Sequence, residues 1–228
     1  MTTETPARPR AALDQNMVTT GFEVDAVEAH SITYKYDTMP GNRPQANGNK
    51  VFLWETNGHD IPRGTDPKKT APVNSDRPNG DGNFPAEVSG YSYLLGYAVG
   101  PDVKNVCATV FVPAMGDGEP ATYAPGIGLK RFMVNTLTST YTMPPGSQPS
   151  GDGDWVGVWE NQTPSALYTI PPKWFEQVPE NSASGVGVLS GLNLLRGTSY
   201  ILGYFKGGFD ATKPKQSTLA CSVTFHTP

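Results

Sequence analysis

Apolar residues in the most regular segments of this chain recur at every second position and not with the 3.6-residue period of a helix. Ile32, Tyr34 and Tyr36 alternate with Thr33 and Lys35, and Leu137, Ser139 and Tyr141 repeat the pattern. Side chains alternate across a strand, so this period predicts half-buried β-strands. Each segment is followed by a Pro/Gly-rich turn and a short apolar run, Val51–Trp54 in one case and Trp155–Trp159 in the other. Tyr93–Tyr97 with Val106–Val112 reads as a hairpin, and Tyr200–Phe205 with Leu219–Phe225 reads as another. Helical spacing is scarce, and one helical turn is expected at Trp174–Val178.

The two halves carry the same pattern. Tyr36–Glu55 aligns without a gap with Tyr141–Glu160, 105 positions on, and eight of the twenty positions are identical, Pro40/Pro145, Gly41/Gly146, Trp54/Trp159 and Glu55/Glu160 among them. Average usage would give roughly one or two matches. Gly90–Gly100 matches Gly197–Gly207, and Val106–Phe111 matches Ala220–Phe225, which sets Cys107 against Cys221. The spacing grows through insertions between the matched blocks, where loops tolerate them. The chain is therefore an internal duplication. The expected fold class is all-β, with two tandem, internally duplicated Ig/fibronectin-III-like β-sandwich modules. The expected boundaries are a flexible N-terminal arm over 1–17, module 1 over 18–113, a linker over 114–121 and module 2 over 122–228.

Gly153-Asp-Trp-Val-Gly-Val-Trp-Glu160, preceded by Tyr141 and a Pro/Gly turn, resembles the D-W-I-G-I-Y strand of SKICH-type Ig-like modules. Copy one departs from it, reading Asn49-Lys-Val-Phe-Leu-Trp54. The resemblance covers about ten residues per copy. It implies an Ig-like sandwich serving interaction or membrane targeting.

Composition narrows the classes. Gly (25) and Pro (22) in 228 residues imply many turns, and 10% aromatics argue against disorder. The net charge is −4 with no basic run, so no nucleic-acid partner is expected. No window is apolar for the ~18 residues a transmembrane helix needs. The N-terminal stretch lacks the apolar centre of a signal peptide, so the expected location is cytoplasmic, or outside the cell after release by a non-classical route.

Candidate chemistry is sparse, and no catalytic residue or cofactor is expected. His30, His59 and His226 have no metal-type spacing. Cys107 and Cys221 lie in apolar strands as core residues do, with a disulfide between the copies as a lesser alternative. Asp81, Asp152 and Asp154 sit in Gly/Asn/Asp turns and are weak calcium candidates, since none completes a calcium loop. Glu55 and Glu160 follow the repeated tryptophans and are expected to point away from them. The segments His59–Phe84 and Thr163–Asn181 read as long loops peculiar to one copy each. Tyr168, Trp174 and Phe175, on the second, are candidate ligand-binding residues together with Glu55, Glu160 and His59, the aromatic loop being equally a cap folded onto the sandwich.

The expected function is non-catalytic binding of a protein or glycan surface, a homo-oligomer included, with avidity from the two copies. Two alternatives stand: a lectin-like or toxin-like protein acting at a target cell surface, and an enzyme with a site between the modules that uses His30 or His59 with a carboxylate.

Overall fold

A computed structural model describes residues 15–133 and 135–228. The strands of the first half are β1 (Gln15–Thr19), β2 (Gly21–Glu28), β3 (Ser31–Asp37), β4 (Lys50–Glu55), β5 (Lys69–Pro72), β6 (Asn79–Pro85), β7 (Tyr93–Ala98) and β8 (Val106–Val112). Those of the second are β9 (Ala121–Tyr123), β10 (Gly126–Met133), β11 (Thr136–Thr142), β12 (Trp155–Glu160), β13 (Trp174–Gln177), β14 (Ser184–Ser190), β15 (Ser199–Phe205) and β16 (Leu219–His226). Strands β2 to β6 recur as β10 to β14 with both ends shifted by 105. The insertion falls after Ser190.

Each module is a β-sandwich of a three-stranded and a five-stranded sheet. Module 1 faces β2-β3-β6 against β5-β4-β7-β8-β9, and module 2 faces β10-β11-β14 against β1-β16-β15-β12-β13. The alternation works as the sequence requires. Phe22, Ile32, Tyr34 and Tyr36 bury against Val51, Leu53, Tyr93, Leu95 and Tyr97. Tyr36 stacks on Tyr97 at 5.2 Å, and its counterpart Tyr141 lies 5.5 Å from Tyr204. Facing these tyrosines, β6 and β14 carry Gly80 and Gly185, where an added Cβ would fall 2.4 and 2.5 Å from the hydroxyls.

The first strand of each half is exchanged. β1 pairs with β16, setting Val18 opposite Ser222, and β9 pairs with β8, setting Thr122 opposite Val110. The contiguous modules drawn from sequence therefore differ from the physical ones. Residues 15–17, assigned to the arm, begin β1, because the open edge of β16 offers them hydrogen bonds. Residues 1–14 lie outside the described residues. Ala121, assigned to the linker, begins β9. Gln15 clasps the bulge of β10, its side-chain amide bonding both the N–H and C=O of Leu129.

A second apolar layer covers the outer face of each large sheet, Ile61 beside Phe52, Trp54 and Phe111, and Leu167 with Met39 of the first half beside Trp155, Trp159 and Phe205, so β4, β7, β8, β12, β15 and β16 are buried on both faces almost throughout. Trp54 and Trp159 belong to this outer layer and not to the space between sheets. Each indole N–H donates to a carbonyl eleven residues on, Thr65 and Ile170. The duplicated Pro-Gly turns dock reciprocally. An added Cβ on Gly41 would meet Ser165 at 2.9 Å, and one on Gly146 would meet the Ile61 nitrogen at 2.5 Å. Both glycines have positive φ, +89° and +80°, so the turn and the close approach both demand glycine.

The loops thought peculiar to each copy are equivalent segments. His59–Phe84 contains β5 and most of β6, and Thr163–Asn181 contains a 3-10 turn, Pro164–Tyr168, and β13. Trp174–Gln177 forms a strand and not a helical turn, pairing with β12 as aromatic residues favour.

A chain so interlocked should unfold in one calorimetric transition. Deleting β1 by truncation after Thr20 removes an edge strand from module 2 and exposes Leu129 and Phe225. The melting temperature should fall by about 5–10 °C, roughly 2–3 kcal/mol. Two separate transitions in the full chain would contradict the exchange.

Candidate interaction surface

The residues picked from sequence do not converge. Glu55 and Glu160 occupy equivalent strand ends, and each pairs with a lysine thirteen positions on, Lys68 and Lys173. They are duplicated structural ion pairs. Tyr168 turns inward, and its buried hydroxyl has no partner among the described residues. Phe175 lies edge-on to Trp155 at 6.1 Å. Trp174 is half-buried under the Lys173 ammonium, 4.8 Å from the ring centre. The aromatic segment is thus mostly a cap. His59 bonds the Tyr123 hydroxyl at 2.9 Å and lies tilted against Phe111 with ring centres 4.2 Å apart, and exposed His30 pairs with Glu87.

The calcium candidates are spent elsewhere. Asp154 is fully buried and accepts from the Tyr204 hydroxyl (2.8 Å), the Lys206 ammonium (2.7 Å) and the Gly207 N–H (2.7 Å). Asp152 takes a two-pronged contact from Arg63 of the other module, at 2.5 and 2.7 Å. Asp81 lies on the outer face of β6 opposite Lys35. No cluster of three or more metal-binding groups forms among the described residues.

The Asp154–Lys206 pair has no counterpart in copy one, where Asn49 donates to the Tyr97 hydroxyl at 3.0 Å and Val99 stands for the lysine. Burial pushes the Asp154 carboxyl above its ordinary range while the Lys206 ammonium pulls against it. Lys206→Met leaves that carboxylate buried and unpaired, and urea denaturation should register a loss of about 3–5 kcal/mol. Restoring the copy-one residues together, Asp154→Asn with Lys206→Val, should recover most of it. Equal losses in both variants would show that the pair is not coupled.

Both cysteines are free thiols with no exposed surface, so the alternative of a disulfide between the copies is not realised. Burial pushes the Cys107 thiol up to about 12 and that of Cys221 well above its usual value. A thiol-specific reagent at pH 8 should modify neither in the native protein and both after unfolding. Prompt labelling of either would refute this packing.

Two clefts indent module 1. One of about 570 Å³ is lined by Glu23, Asp25, Val27, Met115 and Glu119, and one of about 770 Å³ by Tyr36, Asp37, Asp81 and Thr122. Both are acidic and neither holds a histidine.

The sharpest difference between the copies lies on their small sheets. The outward residues of β6 are Asn79, Asp81, Asn83 and Pro85, and the Lys69 ammonium bonds the Pro85 carbonyl at 2.5 Å. The equivalent residues of β14 are Ser184, Val186, Val188 and Ser190. Val186 is 38% exposed and Val188 50%. Beside them on β11 stand Thr138 and Thr140. Sequence reasoning overlooked β14, although Gly80/Gly185 and Gly82/Gly187 are identical at the same spacing of 105 as the first block.

Edge strands invite pairing with other chains and are normally short, bulged, charged or interrupted by proline. Here β5 and β13 have four residues each, with Lys69 and Pro72 on one and Glu176 on the other. β2 and β10 are bulged and charged. β9 has three residues, and β1 is clasped by Gln15 and by the Thr19 hydroxyl on the Pro125 carbonyl. Against these, β14 has seven residues with no charge, proline or register shift.

No protein-family model matches the chain, and no curated protein matches it. Among solved structures it is similar to the FN1–FN3 fibronectin domains of chicken CNTN1, at 14% identity and a TM-score of 0.29 over 87% of this chain and 60% of that one. The chain thus spans about 60% of the length of that structure.

Proposed function

We propose that this chain is a non-catalytic interaction protein that binds an extended, uncharged protein segment by strand addition to β14. The observation that carries this reading is the edge of β14, which no other strand among the described residues pairs with, in a chain whose equivalent edge β6 is guarded by Asp81, Pro85 and Lys69. In strand addition the backbone supplies affinity and alternate side chains supply selectivity. The Met143 N–H donates to the Ala183 carbonyl at 2.6 Å. Antiparallel alternation from that pair turns Gly185, Gly187 and Leu189 toward β11 and leaves the N–H and C=O of Ser184, Val186, Val188 and Ser190 facing outward. Exposed Val186 and Val188, with Thr138 and Thr140, continue a flat face that a β-branched peptide residue can cover.

Copy one supplies the variant. Val186→Asp with Ser190→Pro installs the residues of β6 at backbone positions that already tolerate them. A displayed library of random heptapeptides panned on the full chain should enrich alternating Val, Ile and Thr, and the double variant should weaken the selected peptides at least tenfold. Undiminished binding to the variant would place recognition elsewhere.

A further inference from the structure

We infer that the segment added to β14 is β14 of a second copy of this chain, joining two three-stranded sheets into one six-stranded sheet about a two-fold axis. The inference rests on the strand-addition reading and names its partner. Ser184-Gly-Val-Gly-Val-Leu-Ser190 reads nearly the same in both directions about Gly187. Antiparallel pairing centred there sets Val186 against Val188 of the second copy and Ser184 against its Ser190. These are the residues whose backbone groups face outward, so each such pair exchanges both hydrogen bonds. On the inner face Gly185 meets Leu189 of the second copy and Gly187 meets itself, so no two bulky side chains collide.

Charge agrees with this orientation. Asn181–Leu195 contains no charged residue, and the exposed residues at its two ends are Glu180 and Arg196. Antiparallel pairing brings Glu180 of each copy to the end where the other carries Arg196. Parallel pairing would gather like charges. The match consumes the open edge of both copies, so assembly closes at two. One seven-residue strand pair buries less than a standard interface of roughly 1,600 Å², so the dimer should be weak and its population should depend on concentration.

The test is sedimentation velocity of the full chain from about 1 to about 300 µM, with amide exchange read at Val186 and Val188. The expected result is a monomer-to-dimer rise in sedimentation coefficient. At the upper concentration, exchange of those two amides should slow at least tenfold. The Val186→Asp/Ser190→Pro variant should stay monomeric and keep the parent melting temperature. A chain that is monomeric throughout, with the two amides exchanging freely, overturns the inference. So does a dimer that persists in the variant. If the chain is monomeric but the heptapeptide selection still depends on β14, strand addition stands with another partner. If that selection fails too, both readings fall.

Discussion

Neither large sheet is complete until the other half of the chain supplies a strand. β1 closes the sheet of module 2 and β9 that of module 1. Much else in the molecule follows from that exchange. The exchange goes with a covered outer face on each large sheet, that of module 2 in part by Met39 of the first half, so their strands are apolar on both sides. It holds the Pro-Gly turns 40–41 and 145–146 against the other copy, where only glycine fits. The contacts are reciprocal, as in a two-fold dimer, but the two subunits are covalently joined.

Joining the copies freed equivalent positions to diverge. Arg63 reaches across to Asp152, while its counterpart 105 positions on is Tyr168, whose buried hydroxyl has no partner among the described residues. Asn49 with Val99 answers Asp154 with Lys206. The Asn105 amide donates to the Lys206 carbonyl at 2.7 Å, tying the charged pair of one copy to the neutral copy beside it. A buried ion pair is a weak source of stability, because desolvation offsets most of its attraction. Its distinguishing consequence is asymmetry: copy one pairs with copy two through Arg63, Asn105, Asp152 and Lys206, and two identical copies could not form that set.

How much of this was legible differed by residue. Period-2 alternation at Ile32–Tyr36 and Leu137–Tyr141 revealed the strands, and identical blocks revealed the duplication, because packed positions keep their residues. The tryptophans were legible as buried, yet the face was not, since a strand apolar on both sides loses its alternation. β5, β6, β13 and β14 were hidden by divergent outward residues, and the sparse identities Pro67/Pro172, Lys68/Lys173 and Val73/Val178 were too scattered to stand out. The strand exchange could not be read, because β1 and β9 would pair equally well with either copy by pattern alone. Aromatic residues at 168–175 were chosen as ligand contacts for their chemistry, but packing against Trp155, Trp159 and Phe205 uses Tyr168 and Phe175 as a cap.

The contrast between β6 and β14 is informative because the fold controls for everything else. The two strands have the same length, equivalent partner strands (β3 and β11) and glycines at equivalent positions on the same side of the sheet, so their inward residues answer to one packing requirement. Their outward residues answer only to solvent and to other molecules. An exposed strand of valine and serine without charge is an aggregation hazard, and copy one demonstrates that this backbone accepts aspartate and proline as remedies. Keeping the hazard on one copy alone is therefore not imposed by folding. Gly185 and Gly187 lower the intrinsic β-propensity of the segment, while β11 and the buried Leu189 hold it extended. The edge is thus presented already ordered, and a partner strand meets less of the entropy cost that usually weakens peptide binding.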